Sequence, residues 1–239
     1  MLFHAVHYSR VCVPIVAFLL LHCGLAARAK EPATETAPQP ARFEKEIVAF
    51  EKMDQQHAVP QNGILFVGSS TIRFWQTAES FPNLPVINRG FGGSTIADVN
   101  RYAERIVLKY KPAVIVFYSG DNDIASGKTP QGVFDDFRAF VGLVQENLPK
   151  ARIIYLTVKP SVARWKLWPQ MQEVNRLVEG LSKTNERLTY VDNGPAMLGP
   201  DGRPRRELLR DDGLHLNDQG YAIWNGILGP VLEKYADRP

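Results

Sequence analysis

Short apolar runs and amphipathic stretches alternate along this chain of 239 residues. Ile64, Leu65, Phe66 and Val67 stand in a row, the pattern of a strand buried on both faces. Comparable runs predict strands at 86–88, 113–118, 152–158 and 188–191. Between them the spacing changes to that of helices. Phe43, Ile47, Phe50 and Met53 predict an amphipathic helix over 42–57. Val133, Phe134, Phe137, Phe140, Val141 and Val144 share one side of a helix over 130–148, opened by Pro130 and stopped by Pro149. Further helices are predicted over 71–76, 96–110, 171–183 and 218–235. Strands that alternate with helices call for a parallel sheet covered on both faces. There is no internal repeat and no second domain boundary, so 42–239 reads as one α/β domain.

Composition adds limits. Apolar residues make up 45% and charged residues 22%, the balance of a folded soluble protein. Residues 1–29 read as a secretory signal: Arg10 precedes the apolar run 11–21, and Ala27-Arg28-Ala29 offers small residues for cleavage. The run is short for a membrane span, which needs ~20 residues. A retained anchor and a lipoprotein signal ending at Cys23 are the weaker alternatives. The product is expected to be secreted or periplasmic, with no stable membrane insertion once the signal is removed. Residues 30–41, rich in Pro, Ala, Thr and Glu, read as a disordered tether. Without Arg10 and Arg28, 26 basic residues face 25 acidic ones, which gives no electrostatic case for nucleic acid. Both cysteines, Cys12 and Cys23, lie within the signal, so the mature chain has no thiol chemistry.

The candidate chemistry begins where the first strand ends. Gly68 permits a sharp turn, and Ser69, Ser70 and Thr71 suit a helix start. A serine at such a junction lies at the carboxyl edge of the sheet, where open α/β sheets bind ligands. Serine needs a base to be nucleophilic. Beyond the signal only His57 and His215 are available, and His57 reads as a helix-terminal residue. Asp212 lies three residues before His215, across a turn eased by Gly213, a spacing that can fold a carboxylate back onto the imidazole. The same four residues alone would also describe a surface turn. Donors for an oxyanion are available from the backbone at Gly92-Gly93, the N–H of Ser70 and the amide of Asn122. The glycine stretch lacks the last glycine of a dinucleotide loop and the lysine of a P-loop.

These blocks resemble the SGNH hydrolase superfamily, the GDSL-like lipases and acylhydrolases. The matching stretches are Gly68-Ser69-Ser70, 88–93, Gly120-Asp121-Asn122-Asp123 and Asp212-Gly213-Leu214-His215. The branch they are most similar to is that of platelet-activating-factor acetylhydrolase catalytic subunits. The resemblance implies a flavodoxin-like, three-layer α/β/α sandwich around a five-stranded parallel sheet. It implies Ser70 as nucleophile, His215 as base and Asp212 as its partner, with Ser70, Gly93 and Asn122 as oxyanion donors and no cofactor. Where the family carries Asp before the nucleophile, this chain has Ser69, so two serines compete for the role and the position in the block favours Ser70.

The expected activity is that of a serine ester hydrolase on short-chain acyl esters, with acetylated carbohydrate as a substrate class. A thioesterase or lysophospholipase of the same fold is the nearest alternative. A metal-dependent hydrolase would draw on Asp121, Asp123, Asp211, Asp212 and His215. A carbohydrate-binding module would use Arg164, Trp165 and Trp168, in the loop after the fourth strand. Ser69, Arg73, Trp165 and Trp168 are the candidates to line the substrate site, with packing of the loop the favoured reading of the tryptophans.

Overall fold

The computed structural model describes residues 1–3 and 42–236. The chain divides into two units, Met1–Gln39 and Pro40–Pro239, and the fold belongs to the second. Apart from residues 1–3, the expected signal and tether lie outside the described residues.

Five strands form one sheet: β1 (Ile64–Gly68), β2 (Val86–Gly90), β3 (Val114–Tyr118), β4 (Arg152–Leu156) and β5 (Leu188–Val191). Their order is β2-β1-β3-β4-β5, and every pairing is parallel. Alternation along the strands splits the core into two layers. Leu65, Val67, Ile115 and Phe117 face α1 (Glu44–Gln56), α4 (Ile96–Ile106), α6 (Pro130–Asn147) and α7 (Trp168–Ser182). Phe66, Val116, Tyr118 and Ile154 face the other way, toward α2 (Ser70–Arg73) and α8 (Asp218–Ala236). Trp224, Leu228 and Leu232, four residues apart, are the buried stripe of α8. The result is the three-layer α/β/α sandwich expected from the alternating pattern.

Several boundaries differ from those the pattern predicts. The helix expected over 71–76 is a single turn, α2, from Ser70 to Arg73, and a second short helix, α3 (Thr77–Ser80), follows beyond it. The helix expected over 96–110 ends at Ile106 and continues as a 3-10 turn, Leu108–Tyr110. There the Tyr110 hydroxyl donates to Asp54 at 2.7 Å and accepts from Arg89 Nε at 2.6 Å. Tertiary partners thus override helical continuation. The stretch after β3, for which the pattern predicts no element, forms a short helix, α5 (Asp121–Ala125). Helix α7 begins at Trp168, with proline in its first turn. His57 caps the end of α1 and is exposed.

The candidate active site

Parallel registers bring the ends of β1, β2 and β3 to one rim, with Gly68 level with Gly90 and Tyr118. Gly68 has φ 140°, and a Cβ there would stand 1.8 Å from the Tyr118 carbonyl oxygen, so only glycine fits. The strand can therefore turn sharply against its neighbours. The Ser69 N–H donates to Tyr118 O at 3.0 Å, and the Phe91 N–H donates to Gly68 O at 3.0 Å. Ser70 is then the first residue of α2. Asn88 Nδ2 donates to Ile72 O and Trp75 O at 2.8 and 3.0 Å, which satisfies carbonyls at the far end of that single turn. From α8, the Tyr221 hydroxyl donates to Thr71 O at 2.8 Å. One helical turn is too short to hold itself in water, and these tertiary bonds hold it.

The second and third loops are stitched to the first. Ser94 Oγ donates to Phe91 O at 2.9 Å. Asn122 Nδ2 donates to Ser94 O at 3.0 Å, and Arg164 Nη2 donates to Asn122 Oδ1 at 2.8 Å. The Gly93 backbone, at φ 77°, turns between them. Asp123, fully buried, accepts the Ile96 N–H at the start of α4 at 3.1 and 3.2 Å, which ties the third loop to the second. Burial pushes the Asp123 carboxyl up to about 6, against the pull of that amide and of Lys128.

His215 arrives on the segment that follows β5. Gly213 adopts φ 64°, and the turn is closed by its N–H donating to Arg210 O at 2.9 Å. Lys159, itself buried, donates from Nζ to Leu214 O at 2.7 Å. Burial pushes the Lys159 ammonium down to about 8, opposed by the carboxylates of Asp121 and Asp212. The His215 and Phe74 rings meet edge to face, with centroids 5.0 Å apart and planes at 90°. Asp212 Oδ1 accepts the N–H groups of Leu214 and His215 at 2.9 and 3.0 Å. Its other oxygen lies 2.6 Å from His215 Nδ1. Burial raises the Asp212 pKa, but the His215 ring and the two backbone donors outweigh it and hold this carboxyl well below the usual carboxylate range.

His215 Nε2 lies 2.8 Å from Ser70 Oγ. An ionised carboxylate can only accept, so Nδ1 carries the ring proton and Nε2 accepts from the Ser70 hydroxyl. Residues 145 positions apart thereby form one relay of carboxylate, imidazole and hydroxyl. Such a relay can withdraw a proton from an attacking oxygen and return it to a departing one. Ser70, His215, Asp212 and Asn122 are thus brought to one rim, together with the Gly93 turn.

A model of the GDSL-like lipase/acylhydrolase family matches residues 70–223, well over half of the chain. The chain belongs to that family. Platelet-activating factor acetylhydrolase IB subunit alpha1 of Pongo abelii is 29% identical over 165 residues, covering 66% of this chain and 70% of that one. A GDSL-like lipase from Bacteroides thetaiotaomicron superposes with TM-score 0.68 at 20% identity, over 79% of this chain and 98% of its own. A carbohydrate esterase family 3 protein from Talaromyces cellulolyticus gives TM-score 0.58 at 18% identity, over 72% and 97%. Membership in the GDSL-like family makes the chain a hydrolase of the acylhydrolase and esterase kind, acting on small molecules.

Within this GDSL-like fold, the other residues expected to line the site separate. Ser69 is completely buried, and its Oγ has no hydrogen-bond partner among the described residues. It cannot line a substrate site, because its position in the turn directs the side chain inward while Ser70 takes the helix start. Arg73 is exposed and lies against Gly92, and it lines a cavity of about 430 Å³ between α1, α3 and β2 that neither Ser70 nor His215 borders. Trp168 is packed into the core, which removes it from the expected substrate surface, and the half-buried Trp165 stacks on it at 6.3 Å. The two tryptophans anchor a loop, for which the apolar spacing into α7 was the available signal. Among the described residues, no three His, Cys, Asp or Glu side chains converge as metal ligands. Asp121 faces Arg164, Asp123 faces the start of α4, and Asp212 faces His215. No helix among the described residues is long and apolar enough to cross a membrane.

Three supporting residues escaped the sequence reading. Lys159 had a signal, a cation directly following a buried strand. Asn88 had its place in the matching stretch 88–93, and Phe74 had none, since its partner is set by the packing of α2.

Proposed function

We propose that this acylhydrolase is a secreted serine esterase acting on short-chain acyl esters, acetylated carbohydrate among them. One observation carries the reading: the unbroken relay from Asp212 through His215 to Ser70, at 2.6 and 2.8 Å. Ser70 attacks the ester carbonyl as Nε2 of His215 takes its proton. Asp212 holds the ring in the tautomer that leaves Nε2 free and stabilises the imidazolium. The tetrahedral oxyanion is bound by the N–H groups of Ser70 and Gly93 and by the Asn122 amide. His215 then protonates the departing alcohol, which leaves an acyl-Ser70. Water attacks this acyl group by the same steps and restores the hydroxyl.

The acetyl preference is supported by the similarity to a platelet-activating factor acetylhydrolase subunit and by the carbohydrate esterase among the structural neighbours. Secretion is supported by the amino-terminal pattern of Arg10, the apolar run and Ala27-Arg28-Ala29. The test is turnover of p-nitrophenyl acetate, with longer esters and an acetylated glycan panel in parallel. Ser70→Ala and His215→Ala are expected to abolish turnover, and a fluorophosphonate probe is expected to label Ser70 with no effect of chelator. Full activity in either variant would overturn the mechanism, and a preference for acyl thioesters would move the substrate class.

A further inference from the structure

The oxyanion role of Asn122 sets a requirement that its own backbone does not meet. An amide side chain can present either its oxygen or its nitrogen, since its terminal torsion is close to two-fold. We propose that Arg164 is a positioning residue for the oxyanion site, fixing the Asn122 amide with its nitrogen toward the reacting oxygen and strengthening it as a donor. This inference rests on the serine-esterase reading above.

The contacts around Asn122 leave one orientation. Arg164 Nη2 donates to Oδ1 at 2.8 Å, while Nδ2 donates to Ser94 O at 3.0 Å. Turning the amide over would place its NH2 against the guanidinium and its oxygen against the Ser94 carbonyl. Both new contacts are repulsive. In the observed orientation Nδ2 has two hydrogens and one is used by Ser94, so one remains for the substrate. A cation on Oδ1 also draws electron density from the nitrogen, and hydrogen bonds that include a charged group are about twice as strong as neutral ones.

Arg164 is itself held in place. Its Nη1 lies 3.1 Å from Asp121 Oδ2, and their side chains are only 18% and 6% exposed. The Ala163 N–H donates to Gly213 O at 3.0 Å, which links this loop to the turn carrying His215. On the other side, Trp165 stacks on the buried Trp168. The loop after β4 therefore bridges the base and the oxyanion donor without either tryptophan needing to touch substrate.

The experiment is a double-mutant cycle read in steady-state kinetics on p-nitrophenyl acetate. Arg164→Met is expected to lower kcat by about tenfold with KM within about twofold, as for an interaction made in the transition state. In an Asn122→Ala background the same substitution is expected to change kcat by less than about twofold, because its target is gone. Arg164→Lys, which keeps a charge on Asp121 and reaches Asn122 less well, is expected to fall between the parent and Arg164→Met. Should Arg164→Met not fold, Arg164→Lys carries the comparison, and its loss must likewise vanish in Asn122→Ala. Losses that multiply in full in the double variant, or an unchanged kcat in the single one, overturn the positioning role. Failure of the esterase reading looks different: Ser70→Ala would stay active, or the fluorophosphonate would leave Ser70 unlabelled.

Discussion

Asp212→Asn keeps the size of the side chain and reverses one hydrogen bond. The Asn oxygen can still accept the N–H groups of Leu214 and His215, now at 2.9 and 3.0 Å, so the turn is retained. The Asn nitrogen then faces His215 Nδ1, where the carboxylate oxygen stood at 2.6 Å. Two donors cannot share that contact, so the ring proton moves to Nε2 and points at Ser70. The imidazole is then in the wrong tautomer to act as base. Asp212 is 46% exposed at its side chain, so solvent screens much of its charge, and the tautomer carries most of the effect. A loss of about three to four powers of ten in kcat is expected, equivalent to roughly 4–5.5 kcal/mol in the barrier. The assay is stopped-flow and steady-state hydrolysis of p-nitrophenyl acetate, with near-ultraviolet circular dichroism to confirm the packing. KM is expected to change little. An Asp212→Asn enzyme within tenfold of the parent, while His215→Ala is inactive, would refute the tautomer argument.

Gly68→Ala places a Cβ 1.8 Å from the Tyr118 carbonyl oxygen, in a backbone conformation at φ 140° that alanine resists. It is expected to destabilise by more than about 4 kcal/mol, read as loss of soluble protein or of a cooperative melt; a normal melting temperature would contradict the close approach of β1 and β3. Lys159 supplies a pH signature. Burial lowers its pKa from 10.5 to about 8. Between these values the unfolded chain holds a proton that the folded chain has released, so this residue makes stability rise with pH across that window. Lys159→Met is expected to flatten the rise in urea midpoints measured from pH 8 to 10.5, and equal slopes in the two proteins would show that Lys159 is not the source.

How much of this was legible beforehand follows the range of the interactions. Strand β1 announced itself, because a run of apolar residues closed by Gly68 has few other solutions. The order of blocks carrying Ser70, Asn122 and His215 placed each at the carboxyl end of a strand, so their common rim followed from a parallel sheet. Choosing between Ser69 and Ser70 was another matter. Both are serines at one turn, and only the clamp of the Ser69 N–H on Tyr118 O, at 3.0 Å, buries the first and presents the second. For Trp165 and Trp168 the chain offered both a substrate role and loop packing, because aromatic residues in a loop look alike whether they stack on a ligand or on each other, and the structure shows the packing.

Local chemistry was sufficient for the class of fold, the position of the turn glycines and the kinds of groups that meet at the rim. Periodicity and backbone freedom are properties of neighbouring residues. The pairing of Arg164 with Asn122, the grip of Asn88 on α2 and the burial of Lys159 behind Leu214 depend on segments from 13 to 55 positions apart. Such contacts exist only after the sheet has assembled and the loops have closed over its edge. The groups that meet at the rim could therefore be named from the chain, while their orientation and the residues that hold them were decided by packing.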